Sequence, residues 1–237
     1  MTRSNGSNLH SERQQAERVQ QQEQAAVDDE ASPVPGLVVF DLDACLWLPE
    51  MYQLDAPPSG WDEQAAGVRA GKQVRCRLHP TFCPSLLHFT ASPPLQVVRL
   101  FHGALHAFKV LAEEPGFRDT RVAFASSTTR PSFADAVMQA YRLPDGSVLA
   151  SRVTVAEMYP IHHKKAHFAK IREKTGVQFN RMLFFDDCNW SDNVGEVMAA
   201  CPGVVGMRTP DGMTVAKWEA GLRAFAQAAR QARTPTA

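Results

Sequence analysis

The chain has 237 residues, 44% of them hydrophobic, enough to bury one substantial core. Its 25 basic residues balance 25 acidic ones, so the formal net charge is zero, which argues against nucleic-acid and membrane partners. No run approaches a transmembrane helix, the N-terminus lacks a secretory apolar region, and five cysteines without a CxxC pair do not make a disulfide framework. A cytoplasmic protein with reduced thiols is expected, and an organellar or nuclear address fits the same composition.

Residues 1–35 are polar and rich in Gln, Ser and Glu, and are expected to form a disordered tail because they carry too few apolar side chains to offset ordering entropy. Residues 36–237 are expected to form one folded domain. Its first strand is Leu37 to Phe40, an apolar run that ends in Asp41-Leu42-Asp43. From Trp47 to about Leu100, prolines and glycines break the rhythm, so the stretch at about 48–100 reads as an irregular, cap-like insertion over the end of the first strand, with a small hairpin within Val68 to Val74. Cys76, His79, Cys83 and His88 cluster loosely there, but their spacing matches no standard zinc module and they read as ordinary loop residues.

Beyond the insertion, helices at Gly103 to Glu114, Phe133 to Tyr141, Lys164 to Thr175 and Asn193 to Ala200 alternate with strands at Val122 to Ala125, Met182 to Phe185 and Val204 to Met207. A terminal helix begins at Val215, and Gly176 stops the helix from Lys164 to Thr175. The alternation predicts an α/β fold, and the uniformly apolar runs predict a central parallel sheet covered by helices on both faces.

Two apolar strands deliver acids at their C-terminal ends, the first at Asp41 and Asp43 and the second at Asp186 and Asp187. Ligands of an open parallel sheet gather at that edge, so the two can converge on a hard divalent cation such as Mg²⁺, which takes carboxylate and carbonyl oxygens and shares them with phosphate. Asp41 is the candidate nucleophile, since a carboxylate attacking phosphorus divides one difficult transfer into two steps. If the strand continues, Asp43 shares its face; if the chain turns, Asp43 is placed to act as general acid and then base. Ser126 and Ser127 follow another strand, where their hydroxyls either donate to phosphate or, with Thr128 and Thr129, cap the next helix. Lys164 opens a helix and can balance a phosphate; alone, it or Lys165 would read as a surface lysine.

Together the strand-DxD, strand-Ser, helix-opening Lys and strand-DD order resembles the haloacid dehalogenase superfamily, and within it the magnesium-dependent phosphatase family. The resemblance runs from about Leu37 to Phe225 and includes Val39-Phe40-Asp41-Leu42-Asp43, Leu46-Trp47, Tyr159-Pro160, Lys174-Thr175-Gly176-Val177, Phe184-Phe185-Asp186-Asp187, Asn189 and Asp211-Gly212-Met213. It implies a Rossmann-like three-layer fold with a small or minimal cap. It also implies phosphomonoester hydrolysis through an aspartyl-phosphate on Asp41, with Asp43 as acid/base and Ser126, Ser127 and Lys164 at substrate-binding positions. Mg²⁺ would be held by the Asp41 side chain, the Asp43 carbonyl and Asp187, with Asp186 behind them. Phosphotyrosine, on a phosphoprotein, and phosphorylated sugar adducts, as small molecules, are the substrates it suggests. The chain departs from the pattern at Cys45, usually Thr, and at Ser127, usually Arg. It is also longer over about Cys76 to Val98, and one extra residue before the motif lysine makes Lys165 a rival for Lys164. The alternative reading is a catalytically weak regulatory or binding protein of the same fold.

Overall fold

A computed structural model describes residues 32–71 and 96–233. The Cys76, His79, Cys83 and His88 group lies outside them, as does the tail expected at the N-terminus up to residue 31. The main sheet has five strands, β1 (Leu37–Phe40), β6 (Arg121–Ser126), β7 (Val155–Met158), β8 (Met182–Asp186) and β9 (Val205–Arg208), in the order β7-β6-β1-β8-β9. Every pairing in it is parallel. Five α-helices lie among the described residues: α1 (His102–Glu113), α2 (Pro131–Ala140), α3 (Lys165–Thr175), α4 (Asn193–Ala200) and α5 (Val215–Arg233).

Strand periodicity sorts the core into two layers, because successive side chains leave a strand on opposite faces. Val38, Phe40, Val122, Phe124, Leu183 and Phe185 pack with Phe108 of α1, Val137 of α2, and Trp218 and Phe225 of α5. Their alternates Leu37, Val39, Ala123, Ala125, Met182 and Phe184 pack with Phe168 and Ile171 of α3 and Val194 and Val197 of α4. The three-layer α/β architecture expected from the alternation is the one found. Phe40 anchors the first layer, its ring centroid 5.5 Å from Phe185, 5.9 Å from Phe108 and 6.3 Å from Trp218. α5 can approach this cluster because Gly221 faces it: a Cβ there would meet Phe185 Cζ at 2.5 Å.

The insertion differs from its reading as irregular. Four short strands, β2 (Trp47–Leu48), β3 (Pro58–Asp62), β4 (Gly67–Ala70) and β5 (Gln96–Leu100), form an antiparallel sheet in the order β2-β5-β4-β3. β3 and β4 form a hairpin whose turn spans residues 63–66 with Ala66 at φ 46°, and the hairpin expected within Val68 to Val74 extends past residue 71, outside the described residues. Asp62 organises that turn, its Oδ1 accepting from Gln64 N at 3.0 Å and Ala65 N at 3.2 Å while Oδ2 pairs with Arg69 at 2.5 Å. Pro58 and Gly60 had read as breakers, yet β3 is an edge strand and its register shifts between these two residues, the settings that tolerate both. The sequence reading also passes over β7, a four-residue edge strand interrupted by the buried Glu157, whose carboxylate pairs with Lys174 at 2.5 Å.

Chain order explains where the site falls. From β1 the chain builds β6 and β7 on one side, then crosses through α3 to place β8 and β9 on the other. The carboxyl ends of β1 and β8 therefore flank the point where strand order reverses, the crevice of a doubly wound sheet.

Candidate active site

Asp41 is the first residue past β1 and extends its ladder, with its N–H donating to Phe185 O at 2.9 Å. The chain then curls: Leu42 O accepts from Leu46 N at 2.8 Å and Trp47 N at 3.2 Å, and Ala44 takes the left-handed conformation at φ 58°. Of the two arrangements open in the sequence, the turned one is found. Asp43 leaves the strand direction, and its Oδ1 accepts from the Trp47 indole at 2.8 Å and Met51 N at 3.1 Å. Burial pushes its carboxyl above the ordinary range, against the pull of those hydrogen bonds.

Lys164 immediately precedes α3 and is buried, while Lys165 is exposed. The Lys164 ammonium lies 2.5 Å from Asp41 Oδ1 and 2.6 Å from Asp186 Oδ2, joining the ends of β1 and β8. Burial opposes its charge, but the fields of Asp41 and Asp186 outweigh that and push the ammonium pKa up. Burial, followed by the charges of Asp186 and Asp187, drives Asp41 well up against the pull of Lys164. Asp187 is raised by burial first and then by Asp186.

Asp186 is held by the protein itself. Its Oδ1 accepts from Cys188 N at 2.8 Å and Asn193 Nδ2 at 3.0 Å, and its Oδ2 receives Lys164. Asp187 Oδ2 accepts from Asn189 N at 3.0 Å. One ligand atom from each of Asp41, Asp186 and Asp187 lies within 4.8 Å of the others. Three buried carboxylates share the single positive charge of Lys164, so the charge deficit and the all-oxygen donor set both fit a hard divalent cation.

The Ser/Thr segment forms the opposite wall. Ser126 closes β6 and is buried, its Oγ accepting from Thr128 N at 3.3 Å. The capping alternative fails for these hydroxyls, since α2 has Arg130 at its N-cap with no side-chain cap bond and Pro131 in its first turn. Thr128 Oγ1 accepts from Arg130 N at 3.3 Å instead. Ser127 is half-buried and lines the cleft.

These groups meet in a cleft of about 550 Å³ that is walled by Asp41, Asp43, Ser126, Ser127, Lys164 and Asp187 among others. All the candidate residues named from the sequence contribute to it directly except Asp186, which stands behind Lys164. Sequence reasoning missed Asn193, which it took only as a helix start, and the rim residues Glu50, Tyr52 and Trp190. The one signal for Asn193 was a polar amide on the helix that follows the Asp186-Asp187 loop.

A family model described as Acid Phosphatase matches residues 33–228. The chain belongs to this family. Human magnesium-dependent phosphatase 1 is 29% identical over 196 residues, covering 82% of this chain and 89% of the human protein. This agrees with the resemblance read from the motifs, to magnesium-dependent phosphatases of the haloacid dehalogenase superfamily. Two solved structures are also similar. One is the N-terminal part of BF1531 from Bacteroides fragilis, containing a phosphatase domain complexed with Mg, at 13% identity and a TM-score of 0.47; the match covers 81% of this acid phosphatase family member but 40% of that chain. The other is CbbY from Rhodobacter sphaeroides in complex with phosphate, at 14% identity and a TM-score of 0.44, with 74% of this chain and 86% of that one covered.

Proposed function

We propose that this chain is a Mg²⁺-dependent phosphomonoester hydrolase that works through an aspartyl-phosphate on Asp41. The observation that carries the reading is the Lys164 ammonium fixed between Asp41 and Asp186, at the floor of a cleft into which Asp43 is independently locked by Trp47 and Met51. Lys164 engages Asp41 Oδ1 and opposes the upward push of burial on its carboxyl, which leaves Oδ2 to attack phosphorus. Asp43, with its carboxyl raised by burial, gives a proton to the departing alcohol oxygen. In the second half it takes a proton from the water that attacks the acyl phosphate, and Asp41 is regenerated with release of phosphate. Ser126, Ser127 and neighbouring amides donate to the non-bridging phosphate oxygens. The Asp41 side chain, the Asp43 carbonyl and Asp187, with Asp186 behind, would hold Mg²⁺, whose positive charge would offset repulsion between phosphate and carboxylate.

The relative named as a magnesium-dependent phosphatase supports both the activity and the metal. Phosphotyrosine on a phosphoprotein and phosphorylated sugar adducts are the substrates proposed from the motif resemblance. Turnover of p-nitrophenyl phosphate should require Mg²⁺ and vanish on chelation. Rapid quench with a ³²P-labelled ester should trap acid-stable label on the protein, and the label should be missing from Asp41→Asn. Turnover that leaves no trapped label and survives in Asp41→Asn would overturn the covalent route.

A further inference from the structure

We propose that Glu50, Tyr52 and Trp190 form the leaving-group subsite of this cleft, and that it selects phosphate monoesters whose alcohol carries a cationic nitrogen. The inference rests on the phosphatase reading above and deepens it. Trp190 is 79% exposed and Tyr52 48% exposed, unusual for rings of this size, and both line the cleft. They come from opposite sides of the mouth: Tyr52 from the 3-10 turn Met51–Gln53 at the start of the insertion, Trp190 from the loop after Asp187. Their ring centroids are 6.5 Å apart and the rings stand at 76° to each other.

Glu50 belongs to the same rim. Its Oε1 is 3.5 Å from the Tyr52 hydroxyl, and it lines the same cleft as the Trp190 ring. The group adjoins the acid/base, because Met51, the residue after Glu50, donates its N–H to Asp43 Oδ1. The alcohol oxygen that Asp43 protonates therefore departs toward this rim.

The charges there favour one kind of alcohol. Among the described residues lining the cleft, Lys164 is the sole lysine or arginine, and its ammonium is committed to Asp41 and Asp186. Apart from the imidazole of His162, no basic side chain of that lining is left to receive a second anionic group at the rim. A carboxylate beside two aromatic rings is instead the composition that attracts an ammonium, by Coulomb attraction and by the ring quadrupoles.

The test uses two nearly isosteric esters, phosphocholine and 3,3-dimethylbutyl phosphate, at pH 8 with saturating Mg²⁺. Wild type should show kcat/KM at least about tenfold higher for phosphocholine. Glu50→Gln should bring that ratio to within about twofold, and Trp190→Ala should raise KM for phosphocholine more than for the neutral ester. A ratio near one in wild type, or one unchanged by Glu50→Gln, overturns the subsite. Calorimetric titration of the same esters into folded Asp41→Asn protein with Mg²⁺ separates this inference from the hydrolytic one. Charge-selective binding without wild-type turnover of any ester would uphold the subsite and sink the phosphatase reading. Turnover of both esters without charge selection would sink the subsite alone, and absence of both turnover and binding would sink both.

Discussion

In the five-stranded sheet every residue of β1 and β8 is buried, whereas β3 of the four-stranded sheet buries only Asp62 of its five residues. Both regions feed the same cleft. The parallel sheet supplies the floor, where Asp41 and Asp186 are locked around Lys164; the insertion that forms the antiparallel sheet supplies part of the rim through Glu50 and Tyr52. A floor held between two packed layers can keep charges at fixed distances in a poorly hydrated place, where burial raises Asp41 while the adjoining carboxylates raise Lys164 against the effect of burial. A rim on short, half-exposed elements is free to vary in its chemistry, so on the proposed mechanism changes on the floor are expected to alter the reaction and changes on the rim its selectivity.

Changes on the floor should break this division most severely. Asp41→Asn should lower kcat by at least about a thousandfold while circular dichroism stays unchanged, because the amide keeps the shape but cannot act as the nucleophile. Lys164→Met should lower kcat/KM at least about a hundredfold and destabilise the metal-free protein by roughly 3–5 kcal/mol, since it leaves Asp41 and Asp186 buried and unpaired. Adding Mg²⁺ should recover part of that stability in a thermal melt; a variant as stable as wild type without metal would show that the carboxylates do not depend on the lysine.

Packing differs in the same sense. Phe40→Ala should cost about 3–5 kcal/mol in urea unfolding, because its ring touches three other aromatics in a closed layer. Val97→Ala, in half-buried β5 of the small sheet, should cost less than about 1 kcal/mol. Equal costs would mean that the insertion is as integral to the fold as the sheet beneath it.

A third test concerns His167, one turn along α3 from Lys164. It is fully buried against the Tyr159 ring, with neither ring nitrogen in a well-formed hydrogen bond. Burial first, then the nearby Lys164 ammonium, push the imidazole from 6.5 down to about 4. The unfolded chain takes up this proton first, so stability should fall as pH drops from about 6.5 to about 4, by on the order of 3 kcal/mol. His167→Leu should flatten that part of the pH–stability curve, and an unchanged slope would assign it to the carboxylates. The smallest effect belongs to removal of residues 1–33, which should leave kcat/KM on a small ester within about twofold of the intact protein.

The sequence by itself determined the parallel sheet and the identity of the charged groups on it. Uniformly apolar runs such as Leu37 to Phe40, alternating with helical patterns, match strands covered on both faces, and an acid at the C-terminal end of such a strand emerges at the edge where ligands bind. Tertiary structure decided what local pattern cannot encode. Whether Lys164 or Lys165 faces inward depends on where α3 begins relative to β8, a difference of one residue and about 100° around the helix. The β3–β4 hairpin escaped the reading because proline and glycine break an interior strand yet suit an edge. The rim escaped it because Tyr52 and Trp190 lie 138 positions apart and carry no periodic signal, so only the fold brings their rings to 6.5 Å.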